Sequence, residues 1–420
     1  MKKSNIISGS IFLLIGLITS CSKKEITSTP ILNTDVVTES ALRNPPINRT
    51  TIDPYAAIKL AFGTNIDPTA LLNYANQTRP SYITKDNSRT NPITNAKATL
   101  GRVLFYDKNL SVTNTISCSS CHKQSFAFSD TSLVSTGVLG GLSVRHSMRL
   151  INTRFSNETK FFWNERAATL EQQTTMPIQD HLELGYSGIN GRESISGLLS
   201  KLSKINYYKE LFKFVYNDTI VTEARLQESL AQFIRSIQSF DSKYDIGRAQ
   251  VNNANATFPN FTTVENTGKQ LFMTAPVFNA AGIRTTGGLG CNNCHNAPEF
   301  DIDPNSRNNG IIGVIGSNNI ELNDTRSPSL RDITKADGSI NSRMMHNGVF
   351  NNLNAVLAHY NNIPVNQRNT NLDPRLRQNN NPQQLNLTVA ETNAVIAFMR
   401  TLAGTAVYTD RKWASPFILP

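Results

Sequence analysis

Cys118-Ser119-Ser120-Cys121-His122 and Cys291-Asn292-Asn293-Cys294-His295 are two copies of one pattern, Cys-x-x-Cys-His, in a chain of 420 residues with only five cysteines. Each is a c-type haem attachment signature. Two thiols at this spacing can add to the two vinyl groups of one porphyrin, and the adjacent His then lies under the iron as proximal ligand. A thioredoxin-like redox pair or half a zinc site shares the Cys-x-x-Cys spacing, but neither accounts for a His next to the second cysteine in both copies. The two motifs use every cysteine except Cys21.

The flanking sequence repeats as well. Gly101-Arg102-Val103-Leu104-Phe105, behind Asn95 as a helix cap, precedes the first motif, and Gly268-Lys269-Gln270-Leu271-Phe272 precedes the second. Downstream, Trp163-Asn164 is followed by Leu170, and His346-Asn347 by Leu353, at the same seven-residue offset. Each half closes with a helix. One carries Leu226, Leu230, Phe233 and Ile237 at helical spacing; the other runs through Phe398-Met399-Arg400-Thr401-Leu402, with a Thr388-x-x-Glu391 capping box and Gly404 as its stop. The pattern predicts a mainly α protein of two cytochrome c-like domains, each wrapped around a covalently bound c-type haem. The N-terminal domain is expected at 51–245, a linker at 246–262, the C-terminal domain at 263–405 and a tail at 406–420. Residues 366–384, rich in Asn, Gln and Arg, read as a surface loop or partly disordered segment.

The composition, 39% hydrophobic and 17% charged, suits a globular protein with sizeable cores. The 41 basic and 31 acidic residues give a net charge of +10, but the basic residues are scattered and no nucleic-acid-binding motif is present, so nucleic acid is not an expected partner. Lys2 and Lys3 precede an apolar run at 6–18, too short to span a bilayer and of the length of a signal-peptide core. Leu17-Ile18-Thr19-Ser20-Cys21 then reads as a lipobox. This predicts a lipoprotein signal peptide at 1–20, a lipid anchor on Cys21, and a flexible tether at 21–50 rich in Thr, Ser, Asn and Pro. The expected location is outside the cytoplasm, anchored at the periplasmic face of an outer membrane. Oligomeric state is not legible.

From about residue 95 to 404 the chain resembles the bacterial dihaem cytochrome c peroxidase and MauG superfamily. The markers are Leu100-Gly101-x-x-Leu104-Phe105, the first haem motif, Phe162-Trp163-x-x-Arg166-Ala167, Ser327-Pro328-Ser329-Leu330-Arg331 and Met345-His346-Asn347-Gly348. The resemblance implies an N-terminal haem that handles hydrogen peroxide and a C-terminal haem that accepts or stores electrons. It also implies a small c-type cytochrome or another protein as electron donor. Two other readings stay open. One is a MauG-like oxidase that modifies amino-acid side chains of a partner protein; the other is a dihaem electron carrier without turnover.

The sixth coordination position separates a haem that reacts from one that only transfers electrons. Pro177 and Tyr360 stand fourteen residues after Trp163 and His346, so the repeat makes them equivalent. Proline cannot ligate iron; tyrosinate can. The resemblance implies that this position supplies the sixth ligand of the C-terminal haem, methionine in conventional peroxidases and tyrosine in MauG. Tyr360 thus leans towards the MauG branch, with Met345, Met344 and His359 as rivals. For the N-terminal haem, Val138 stands where conventional peroxidases carry a distal His, and His146 and His181 are the remaining candidates. The resemblance further implies Glu183 as general acid and base, Gln173 as its amide partner, Pro177 as pocket lining and Trp163 as the indole between the haems. Arg331 and Arg166 are implied as partners of the haem propionates. The chain departs from the family at Asn164-Glu165, where Asp-Gly is usual, and at Arg145-His146-Ser147-Met148, where Arg-Asn-x-Pro is usual. The family Asn contributes to a calcium ion between the domains, and imidazole is a poor ligand for a hard cation, so calcium is implied only weakly.

Overall fold

Helix α1 is Ala56–Phe62 and α2 is Asn95–Tyr106; α3, Cys118–Cys121, is a single turn holding the first thiol pair. The rest of the N-terminal half contributes α4 Leu170–Gln179, α5 Ile195–Lys204, α6 Asn206–Tyr216 and α7 Glu223–Ser236. The C-terminal half has α8 Lys243–Arg248, α9 Thr263–Met273, α10 Leu353–Asn361 and α11 Val389–Arg400. Strands in the described residues are short antiparallel pairs: β1 Pro276–Phe278 with β2 Arg284–Gly287, β3 His295–Asn296 with β4 Asp301–Ile302, and β5 Arg377–Gln378 with β6 Asn381–Pro382. The computed structural model describes residues 53–364, 366–378 and 381–418. The apolar run at 6–18, Cys21 and the tether up to 50 lie outside the described residues. No described helix is long and apolar enough to cross a membrane.

Two apolar cores form, one per half. In the first, α2 crosses α7 at Gly101, where an added Cβ would lie 1.9 Å from the Ser229 carbonyl oxygen and 2.8 Å from Cβ of Phe233. In the second, α9 crosses α11 at Gly268, where a Cβ would lie 1.8 Å from the Ala394 oxygen and 3.0 Å from Cβ of Phe398. Only glycine permits such backbone-to-backbone contact. The stripe Leu226, Leu230, Phe233 and Ile237 is buried against this crossing. The helix cap upstream differs from expectation. Thr94, not Asn95, accepts the Lys97 amide, because Asn95 Oδ1 is taken by the amides of Tyr74 and Ala75.

The repeat extends to backbone detail. Phe161 bridges to Ala167 and Met344 to Phe350, and within these loops φ is +70° at Phe162 and +71° at Met345, then +56° at Glu165 and +60° at Gly348. Helices α4 and α10 then start at Leu170 and Leu353 behind the caps Thr169 and Asn352. Trp163 and His346 are therefore structural counterparts, as are Pro177 and Tyr360. Glu165, where a glycine would fit without strain, is anchored by the Thr325 hydroxyl, which donates to its Oε1 at 2.6 Å.

Two connecting segments depart from the sequence reading. Residues 246–262 are more than a linker, since Phe258 and Phe261 enter the second core. Residues 406–418 return to the first half, where Val407 and Trp413 join its core. The polar stretch at 366–384 is folded against the second half, with Asn369, Leu372, Asp373 and Gln383 all buried. The Thr388–Glu391 capping box forms, but α11 ends at Arg400, so Gly404 is not its stop. The Gly404 amide instead donates to Asp332 Oδ1 at 2.8 Å.

Two candidate haem sites and the wall between them

The first attachment motif borders a cavity whose wall includes Cys121, His122, Trp163, Gln173, Pro177 and Glu183. Ser117 and Ser120 cap α3 reciprocally, which fixes the turn that presents Cys118 and Cys121. His122 Nδ1 lies 3.1 Å from the carbonyl oxygen of Phe128, which orients the ring. Burial lowers the His122 pKa, so the ring is neutral as a metal ligand must be. Two thiols with no disulfide partner, a neutral imidazole and an adjoining cavity are the donor set a c-type haem requires.

The second cavity is lined by Cys291, Cys294, His295, Asn309, Met345 and Tyr360. Burial, reinforced by nearby Arg375, pushes His295 down to about 4. Its Nδ1 is buried without a hydrogen-bond partner, unlike that of His122. Tyr360 Oη accepts from Asn309 Nδ2 at 3.3 Å, and burial raises the pKa of the phenol. Among the rivals, Met344 and Met345 line the cavity. His359 does not, and its Nε2 is taken up 2.9 Å from the Asn309 carbonyl oxygen.

The two cavities share a wall made of His146 to Arg149, Trp163 and Arg326 to Pro328. Trp163 is pinned within it. Its Nε1 donates to the His146 carbonyl at 2.8 Å, and its own carbonyl accepts the amides of Thr325 and Arg326 at 2.9 and 3.0 Å. Its ring meets that of its counterpart His346 edge-on, with centroids 6.4 Å apart. The His146 amide in turn donates to the His346 carbonyl at 2.8 Å. His146 is buried in this wall with Nδ1 3.3 Å from the Leu133 oxygen and Nε2 unpartnered.

Opposite the wall, α4 supplies Gln173 and Pro177, and the turn after it supplies Glu183. That turn is held by Asp180 Oδ1, which accepts the amides of Leu182 and Glu183, and by the Val138 amide, which donates to the Glu183 carbonyl at 2.9 Å. Gly137 lets the strands of this loop touch, since a Cβ there would lie 2.0 Å from the Leu182 oxygen. Burial, with a smaller push from Asp180 against a pull from Arg166, raises Glu183 to about 7. Arg166 itself stacks on Phe162, its guanidinium carbon 3.5 Å from the ring centroid, at the cavity edge.

Several expected residues stand elsewhere. Val138 is buried outside the cavity wall, and His181, its Nδ1 2.9 Å from Ser187 Oγ, also does not line it. Arg331 reaches neither cavity. It is fully buried, donating to Asp245 Oδ2 and the Pro298 carbonyl at 2.9 Å each, so its guanidinium is not available to a propionate. Arg149 and Arg326, buried and lining both cavities, are the cations that sequence reading missed. Neither sits in a patterned segment, and their position depends on packing between the halves. Among the described residues, no three His, Cys, Asp or Glu side chains gather as a metal site.

Residues 95–252 match the family model described as di-haem cytochrome c peroxidase. The methylamine utilization protein MauG of Methylophilus methylotrophus is 26% identical over 325 residues, covering 76% of this chain and 85% of that protein. The cytochrome c551 peroxidase of Nitrosomonas europaea is 28% identical over 201 residues, covering 48% of this chain and 52% of that protein. Among solved structures, a MauG-like protein associated with microbial copper homeostasis superposes with a TM-score of 0.61 at 24% identity, covering 81% of this chain and 99% of that one. The diheme peroxidase BthA of Burkholderia thailandensis superposes with a TM-score of 0.55 at 21% identity, covering 82% of this chain and 90% of that one. The duplicated helical frame is shared in fold with these structures, and residues 95–252, which carry the first attachment motif, are similar to the di-haem cytochrome c peroxidase and MauG family.

Proposed function

We propose that this chain is a dihaem peroxidase that reduces hydrogen peroxide with electrons from a protein donor such as a small c-type cytochrome. One haem c would be held by Cys118, Cys121 and His122. The other would be held by Cys291, Cys294, His295 and Tyr360. The observation that carries this reading is that one pinned indole, Trp163, forms part of the wall of both cavities. When bound, the haems supply the redox-active iron at which peroxide, two electrons and two protons become two waters.

The chain's own residues handle protons, orientation and charge. Glu183, titrating near 7, can take a proton from one peroxide oxygen and return it to the other, as general acid–base chemistry near neutral pH requires. Gln173, whose amide has no protein partner among the described residues, is free to orient the oxidant by hydrogen bonding. Pro177 presents no ligating atom where Tyr360 stands in the other half, which keeps the first cavity open. Trp163 relays electrons between the sites. Its N–H faces a backbone carbonyl, which cannot keep the proton, so electron loss there stays reversible. Arg149 and Arg326 take the propionate role first assigned to Arg331. We place the protein outside the cytoplasm, anchored through lipidated Cys21. Calcium is left out of the proposal, because His146 directs its carbonyl to Trp163 and brings no hard oxygen side chain to the wall.

A phenol rather than a thioether at position 360 supports the second reading, a MauG-like oxidase acting on a partner protein. Mixing holoprotein with peroxide and a reduced small c-type cytochrome separates the two. The peroxidase reading predicts two donor equivalents oxidised per peroxide, and slower donor oxidation in Trp163→Phe. Donor left reduced while the protein retains two oxidising equivalents contradicts it and favours the oxidase.

A further inference from the structure

The loop after each attachment motif carries a glycine fifteen residues beyond the motif His, Gly137 in the first half and Gly310 in the second. Both lie tight against the chain near the helix that carries Pro177 or Tyr360. A Cβ at Gly310, where φ is +97°, would lie 2.7 Å from Ile363 Cγ2 and 3.3 Å from His359 Cε1. The residue before the glycine differs between the halves. Thr136 is exposed and takes no part in the first cavity's wall, whereas its counterpart Asn309 lines the second.

Asn309 is held rigidly. Its carbonyl oxygen is paired with His359 Nε2 at 2.9 Å, and its Oδ1 accepts the Ile311 amide at 3.1 Å. The preceding residue, Asn308, is fully buried and bonded to the Ile311 carbonyl, the Gly310 amide and Asn369. With Oδ1 committed, Nδ2 is left to face the cavity, where it lies 3.3 Å from Tyr360 Oη and 3.2 Å from Met345 Sδ. One amide nitrogen therefore contacts two of the three candidate sixth ligands that line the cavity, Tyr360 and Met345 but not Met344. The two acceptors are chemically unlike: a phenolate oxygen is hard and anionic and gains strongly from an N–H donor, while a thioether is soft and a weak acceptor.

We propose that Asn309 is the positioning residue that selects Tyr360 over Met345 as ligand of the second haem iron, by donating to the phenolate while holding the Met345 thioether aside. This rests on the dihaem reading above. Removing the amide withdraws support from the phenolate and frees the thioether, which reduced iron prefers.

The test uses ferric and reduced spectra and a redox titration of holoprotein, with variants Tyr360→Phe, Asn309→Ala, Asn309→Asp and Asn309→Ala/Met345→Leu. Asn309→Asp keeps an acceptor for Ile311, which guards against simple collapse of the loop. The expected result is a phenolate-to-iron charge-transfer band in the wild type that is weakened in both Asn309 single variants. On reduction of those variants a methionine-ligated signature appears and the midpoint potential rises; the double variant lacks that signature. A Tyr360→Phe spectrum identical to wild type removes Tyr360 as ligand, and the proposal with it. If Tyr360→Phe changes the spectrum while both Asn309 single variants match wild type in band and midpoint, the selecting role of Asn309 alone is overturned.

Discussion

Glu183 sits where two opposing charges act on one half-buried carboxyl, Asp180 raising its pKa and Arg166 lowering it, while burial dominates and leaves it near 7. The same residue should therefore show two separable effects. Glu183→Gln is expected to slow peroxide turnover by about 10²–10⁴-fold, the usual worth of a positioned acid–base group, read as the rate of donor oxidation. It should also stabilise the fold at high pH. A carboxyl whose pKa rises from 4.5 in the open chain to about 7 in the fold favours folding below 4.5 and progressively opposes it as pH rises to 7. Above pH 7 the Gln variant is expected to be more stable by about 1–3 kcal/mol in denaturant titrations, with no gain at pH 4. At this scale spacing made both Cys-x-x-Cys-His motifs legible and the family resemblance pointed to Trp163 and Glu183, and residues of each motif and both of these side chains line a cavity. Arg331 was not legible, because its role depends on Asp245, which lies 86 residues away in sequence. Asn309 was hidden for the opposite reason, standing in an asparagine-rich stretch where nothing marks one amide from the next.

Among elements, the repeated helix crossing is where the two halves agree most closely. Gly101 and Gly268 were visible as repeat markers, but their use, contact with the Ser229 and Ala394 carbonyls, needed the crossing itself. Gly101→Ala and Gly268→Ala should each cost about 3 kcal/mol or more in urea unfolding, the upper end for overpacking, since backbone must move to admit a methyl group. Gly191→Ala, with nothing within 4 Å of the added Cβ, tests for a generic loss of glycine and should cost far less, although its φ of +75° adds some strain. Helix starts were read to within a residue where a capping box exists, as at Thr388, and missed where another segment competes for the cap, as at Asn95. The stretch at 366–384 is a surface loop for most of its described length, as its composition suggested; its buried residues were not legible, because they are set by pairings such as Asn369 with Asn308 and not by an apolar period.

Across the whole molecule, the chain end ties the halves together. Trp413 is buried in the first core with Nε1 donating to the Ser236 carbonyl, while the Tyr74 and Tyr106 hydroxyls donate to the carbonyls of Lys412 and Trp413 and Arg102 to that of Ala414. Trp413→Ala is expected to lower stability by about 3–5 kcal/mol, read by thermal denaturation, with the first haem environment lost before the second. Two apolar cores, one per half, follow the repeat; the return of 406–418 to the first was not legible, since a segment this short carries no period that points to its destination. The account as a whole stands on two unlike iron centres, one open and one closed by Tyr360. Electron paramagnetic resonance of the oxidised holoprotein with added cyanide tests this most directly. The expected spectrum has one high-spin signal that converts to low-spin on cyanide binding, beside one low-spin signal that does not change. Two low-spin signals indifferent to cyanide would contradict it.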